Sequence, residues 1–340
     1  MPTITDLFTA NALLDYSGTR EYKPFLGDAM FATRRVEALK LDQLTQGSKT
    51  PIIASVSAFD AEAEIGSRLT EKRAFELALI KRKMQIKETD LYAMLNPRTP
   101  QEQAFLKDQV FNDFDVLNQG VLARVEAMTM EMLATGKIHL ADDNDKAVVD
   151  YQVPAEHQEA IADNTWDKLD SADPLKDMIS WVDKMDVLPT RALTSKKIYR
   201  LITTNPKVLA AVYGKDTGRM LGQADFDAFM QAQGLPVIRT YDEKYKVEQP
   251  NGTYKTARYF PEDRIVLFGD DQLGEKVFGP TPEELANLSD VQGSVKSNVY
   301  DMIYTETKDP VGTWEKATGL ALPSFAAVDE VFQAQPIKLA

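Results

Sequence analysis

His139 and His157 are the only imidazoles in this 340-residue sequence, and cysteine is absent. Thiol catalysis, thiolate metal sites and disulfide scaffolds all require cysteine. A nucleophilic triad or a His-rich metal centre needs imidazoles brought together. Here one lies in a predicted strand and the other in a polar stretch. Asp142-Asp143-Asn144-Asp145 has the acidity of a calcium loop but lacks the spacing and closing glutamate of an EF-hand, so it reads as a solvated turn. Gly214-Lys215 has no upstream glycine to complete a phosphate-binding loop, and Val212-Tyr213-Gly214-Lys215 reads as a helix end. Carboxylates are plentiful, and a pair could meet by folding, as in glycoside hydrolases. No catalytic, cofactor-binding or metal-ligating residue is assigned, and no cofactor is expected.

Composition narrows the partners. The net charge is −13, and the only tight basic cluster is Lys81-Arg82-Lys83, so a free-standing DNA-binding role is disfavoured. The absence of cysteine suits a reducing cytoplasm. The start, Met1-Pro2-Thr3-Ile4-Thr5-Asp6, lacks the basic and apolar regions of a signal peptide, and no apolar run approaches the ~20 residues of a membrane span. The hydrophobic fraction of 44% is that of an ordinary globular chain, with length for one large domain or two modest ones.

The most distinct element runs from Thr99 to about Thr135. Thr99 is a good N-cap, Pro100 suits the first helical position, and Glu102 stands where a capping-box acid belongs. Phe111, Phe114, Leu117, Val121, Val125, Met128 and Met132 recur at steps of three and four and form one apolar stripe. Gly120 weakens the stripe, and Gly136 ends it. Such a helix, roughly 55 Å long, needs a long partner surface, and no second helix of that length is apparent. Residues 1–50 carry Leu13, Leu14, Tyr22, Phe25, Leu26 and Phe31 with no sustained period, so they are expected to gain burial from other chains. Ile52, Ala54, Val56 and Ala58 alternate, then Ala61, Ala63 and Ile65 in the opposite phase, which reads as a strand with a bend near Asp60. Residues 70–86 stay open between helix and strand. A hairpin is expected over Lys137–Val153. Helices are expected at Pro174–Met185, Ser195–Tyr213 (broken at Pro206) and Ala224–Gln233. Strands are expected at Pro236–Thr240 and Arg264–Phe268, with a hairpin turning at Asn251-Gly252.

Several blocks follow one another in a recognisable order. They are Thr33-Arg34-Arg35-Val36-Glu37, Pro51 to Glu64, Arg191-Ala192-Leu193-Thr194-Ser195 with Ile198-Tyr199-Arg200-Leu201, and Arg258 to Leu267. The C-terminal block is the fullest: Ser297 to Asp301, Tyr304 to Val311 with its Asp-Pro turn, Leu320 to Ser324, and Asp329 to Gln335. Together they resemble the lambda-like major capsid proteins of tailed bacteriophages, the phage capsid protein E family.

The resemblance implies an α+β, HK97-like capsid fold. Its expected parts are an N-terminal arm (1–50), an extended β loop (51–87), a peripheral domain (88–154 and 297–340) built on a spine helix (99–135), and an axial domain (155–296). It implies a structural protein, not an enzyme, that assembles with itself as hexamers and pentamers into an icosahedral head shell around double-stranded DNA, without sequence-specific binding and without a membrane. It also implies assembly in the host bacterial cytoplasm, residence in the virion, a portal as a further partner, and a separate scaffolding protein, because no long helical segment precedes the arm; whether a decoration protein binds stays open. The alternatives are an encapsulin-type compartment shell and a soluble enzyme using carboxylates.

Overall fold

A computed structural model describes residues 7–9, 12, 15–16, 20–46, 70–140, 148–215, 218–249, 251–270, 272–286, 292–306 and 312–338. The alternating stretch 52–65 and the acidic turn 142–145 lie outside the described residues.

The long helix is Pro100–Thr135, 36 residues without a break. Thr99 Oγ1 accepts the Glu102 amide at 3.1 Å, and the Glu102 carboxylate accepts the Arg98 amide at 2.8 Å. These contacts satisfy N-terminal amides that have no partner inside the helix. Gly136 closes the other end at φ 72°, a left-handed conformation that side chains disfavour, and donates to the Met132 carbonyl.

The strands, in chain order, are β1 (Phe31–Arg35), β2 (Lys40–Gln46), β3 (Thr70–Glu76), β4 (Ala78–Ile86), β5 (Lys137–His139), β6 (Val148–Asp150), β7 (Gln158–Ala160), β8 (Arg191–Thr194), β9 (Val237–Thr240), β10 (Lys244–Glu248), β11 (Tyr254–Arg258), β12 (Ile265–Phe268), β13 (Gly274–Gly279), β14 (Gln292–Lys296), β15 (Val299–Glu306), β16 (Gly312–Phe325) and β17 (Val331–Gln335). The larger sheet runs β1-β13-β16-β15-β14, with β4 also on β16. The smaller runs β7-β17-β12-β8-β9. Thus 70–86, open on sequence grounds, is two strands: β3 pairs with β2 as a ribbon, and β4 joins the larger sheet. Cross-strand pairing overrides the helical propensity of its Leu, Lys and Met residues.

The long helix finds its partner in this larger sheet. Val110, Phe114, Leu117 and Val121 pack with Ile86, Val299, Ile303 and Ala317. Gly319 permits the approach, since a Cβ there would stand 2.7 Å from Val121 Cγ1. Further along, Val125, Met128, Met132 and Leu133 enter a core that contains Val266 and Phe268 of the smaller sheet as well as Val277 and Leu322 of the larger. A third core joins the smaller sheet to its helices through Trp166, Trp181, Phe226 and Phe332.

Two differences from the sequence reading concern the chain ends. Part of the 1–50 segment is buried within its own chain: Phe8 and Phe31 are fully buried, and β1 pairs in parallel with β13. Its partner lies some 240 residues away, so local periodicity cannot reveal it. The 297–340 stretch divides between sheets, with β15 and β16 in the larger and β17 in the smaller.

Candidate functional site

The feature that organises this molecule is the surface on which the long helix sits, and three polar stations punctuate it. The first holds the N-terminal segment. Asp115, on the helix, accepts from Tyr16 Oη at 2.6 Å and Tyr22 Oη at 3.0 Å, with Arg20 Nε at 3.5 Å. Tyr16 stacks on Phe111 at 4.2 Å, and Phe8 meets the same ring edge-on. Burial first, and then the Asp115 carboxylate, holds both phenols well above their usual range.

The second station is a buried ion cluster. Glu126 of the helix is fully buried and accepts from Lys276 Nζ of β13 at 2.8 Å and from the Gly27 amide at 3.0 Å. Lys276 reaches Asp28 at 2.6 Å as well. Four elements are thus joined: the segment before β1, the helix, the larger sheet and, through Tyr241 beside Glu126, the end of β9. Burial, and then that carboxylate, pushes the Tyr241 phenol up. A buried charge with fitted partners keeps its geometry, because removing either partner strands the other.

At the third station, Asn118 Nδ2 donates to Asp301 Oδ2 of β15 at 2.6 Å. Two pairs further along the sheet, Glu315 of β16 faces the helix with 1% exposure, and neither carboxylate oxygen has a hydrogen-bond partner among the described residues. Burial, and then the nearby Asp113, pushes its carboxyl up to about 9.

The basic cluster singled out in the sequence sits on β4 and is engaged by this chain. Lys81 meets Glu283 at 2.8 Å, Arg82 meets Glu248 at 3.5 Å, and Lys83 lies 3.9 Å from the Trp314 ring centre. Despite its burial, Glu283 is held below the usual carboxylate range by the Lys316 and Lys81 ammonium groups. The histidines lie in different surroundings. His139 is exposed, with Nδ1 2.5 Å from Glu131, while His157 is buried against Phe332. Among the described residues, no group of three or more His, Asp or Glu side chains is placed to hold a metal. Gly214 caps the Pro206–Tyr213 helix. Among the described residues, no helix is long and apolar enough to cross a membrane.

The polar stations were not singled out from the sequence, though a signal existed. Glu315 is in phase with Ala317, Gly319 and Ala321, so the two-residue period of a strand already puts it on the core face. Glu126 stands between Val125 and Ala127 in a mostly apolar stretch that continues through Met128, Met130, Met132 and Leu133.

The family model of phage major capsid protein E matches residues 9–335. The chain belongs to that family. It is a structural protein of the phage head shell, and its fold is the HK97-like capsid fold. Among solved structures it is similar to a protein assigned to the capsid of an Escherichia coli CFT073 prophage, at 16% identity and a TM-score of 0.63, with 96% of this chain and 98% of that one covered. It is also similar to a phage-related protein from Bordetella bronchiseptica RB50, at 11% identity and a TM-score of 0.51, over 96% and 97%. No curated protein sequence matched the chain. The family membership makes the phage shell the apt reading over the encapsulin and soluble-enzyme alternatives.

Proposed function

We propose that this major capsid protein divides its labour as follows. Residues 1–50 are the arm and 51–87 the extended loop that reaches a neighbouring copy. Residues 88–154 with 297–340 are the peripheral domain, and 155–296 the axial domain that meets its copies at capsomer centres. β17, within 297–340, pairs with β7 and β12, which lie within 155–296. The observation that carries the reading is the long helix lying along the larger sheet, with the N-terminal segment and the β2–β3 ribbon leaving from that same sheet. The chain's work is geometric. Many identical contacts, each modest, act together once a shell closes.

Assembly takes place in the host cytoplasm with a separate scaffolding protein and a portal. The subunit performs no catalysis. The −13 charge, with Lys81, Arg82 and Lys83 engaged internally, lets the inner wall enclose DNA without gripping it. The test is deletion of residues 51–65. The subunit is expected to stay folded by circular dichroism and to form no shells when co-expressed with its scaffold. Normal shells from the deletion variant would remove the loop from the assembly contact.

A further inference from the structure

Glu315, whose carboxylate has no hydrogen-bond partner among the described residues, is a buried acid under the long helix that the shell reading leaves unused. Its neighbours can be named from the strands beside it and the helices over it; the short helix Glu88–Leu95 also packs on β16, adding Leu91 and Met94 to this core, with its own acids Glu88 and Asp90 in its first turn. On β16 itself, Thr313 and Ala317 share its face, and Lys316 points away to Glu283 at 2.5 Å. On β15 the directly opposite residue is Ile303, with Asp301 next on that face and engaged by Asn118. On β4 the opposite residue is Met84; Arg82 shares that face further along and is paired with Glu248, while Lys83 turns to the other face, over Trp314. The long helix presents Val110, Phe114 and Leu117 and a single charged group, Asp113, whose carboxyl burial itself pushes up.

No cation among the described residues reaches Glu315, and the nearest acid repels its charge. A lone carboxylate in such a box is far costlier than a neutral acid.

We propose that Glu315 is a proton-binding site in the seat of the long helix: the N-terminal half of the helix, about 100–117, lies down on β15, β16 and β4 with the proton bound and lifts when it leaves. The other half does not share this response. Glu126 is matched by the Lys276 ammonium and the Gly27 amide, so that half of the helix rests on a partnered acid. The device is confined to one end of one helix, and a solvent change would loosen that end without unfolding the subunit. Lifting exposes Glu315 to water, where it ionises as an ordinary carboxylate. Between the ordinary and the buried pKa, each pH unit therefore favours the lifted form about tenfold.

Two measurements on the full-length, unassembled subunit test this. Infrared spectroscopy at neutral pH should show a protonated carboxyl band that disappears in Glu315→Gln. Hydrogen exchange, expressed as protection relative to an unstructured peptide, should fall about tenfold per pH unit for amides 100–117 between about pH 5.5 and about pH 7.5. Amides 125–134 should hold their protection, and the fall should be absent in Glu315→Gln. No protonated carboxyl in the wild-type protein would overturn the proposal whatever the variant does. So would the same pH slope in the two proteins, or a slope shared equally by both halves of the helix. Should Glu315→Gln fold poorly, Glu315→Met, which replaces the acid with a flexible apolar side chain of similar length, serves in its place with the same expected outcomes.

Discussion

Glu126 and Glu315 lie under the same helix, both with almost no exposed surface, and their surroundings could hardly differ more. Glu126 has an ammonium group, a backbone amide and a phenol around it, contributed by three elements besides its own helix. Glu315 has Ile303, Met84, Phe114 and the carboxyl of Asp113. Burial alone therefore says little about what an acid does. With partners, it is a charge that fixes the relative position of helix, sheet and N-terminal segment. Without them, it is a neutral acid whose proton holds one end of the helix down. The paired station lies in the half of the helix shared by both sheets, and the unpaired one in the half that meets only the larger of the two.

The sharpest way to break this contrast is at the paired station. Lys276→Met leaves Glu126 buried without its cation and should cost about 3–5 kcal/mol in urea unfolding of the subunit. Adding Glu126→Gln to that variant should recover part of the loss. If the single variant costs no more than a surface substitution, Glu126 is not held by charge and the contrast fails.

At the unpaired station the sign reverses. The folded subunit keeps the Glu315 proton up to about pH 9, while the unfolded chain releases it near the ordinary value of 4.5. Wild-type stability thus loses about 1.4 kcal/mol per pH unit between those limits from this group. Glu315→Gln removes the slope. The variant should match the wild type near about pH 4 and exceed it by up to about 3 kcal/mol near about pH 7. A variant less stable than the wild type at neutral pH, with an unchanged slope, would contradict the assignment.

The smallest effect belongs to the clasp on the N-terminal segment. Asp115→Ala removes the acceptor shared by Tyr16 and Tyr22 and should cost about 1–2 kcal/mol. Limited proteolysis with trypsin should then cut after Arg20 sooner, while the Pro174–Thr204 region keeps its resistance. Equal cleavage rates would show that the clasp does not hold the segment.

Much of this fold was legible because its signals are local. Thr99, Pro100 and Gly136 mark the ends of the long helix, and the stripe from Phe111 to Met132 marks its buried face. Asn251-Gly252 gives the β10–β11 hairpin, and Asn205-Pro206 the break between two helices. What stayed hidden depends on distant chain. The identity of β4 as a strand comes from β16, and the burial of Phe31 from β13. The polar stations were hidden for a related reason. A lysine at 276 and a glutamate at 126 look like two surface charges until the fold brings them to 2.8 Å. The family came from the order of sequence blocks over most of the chain, not from a motif of chemistry.

The most direct test of the central claim is the particle state of the protein itself. Electron cryomicroscopy and sedimentation of the full chain, expressed with its genomic neighbours, should yield closed shells of megadalton mass. Within each subunit the helix Pro100–Thr135 should lie along the larger sheet. A discrete small oligomer under the same conditions, one that never closes a shell, would contradict the account.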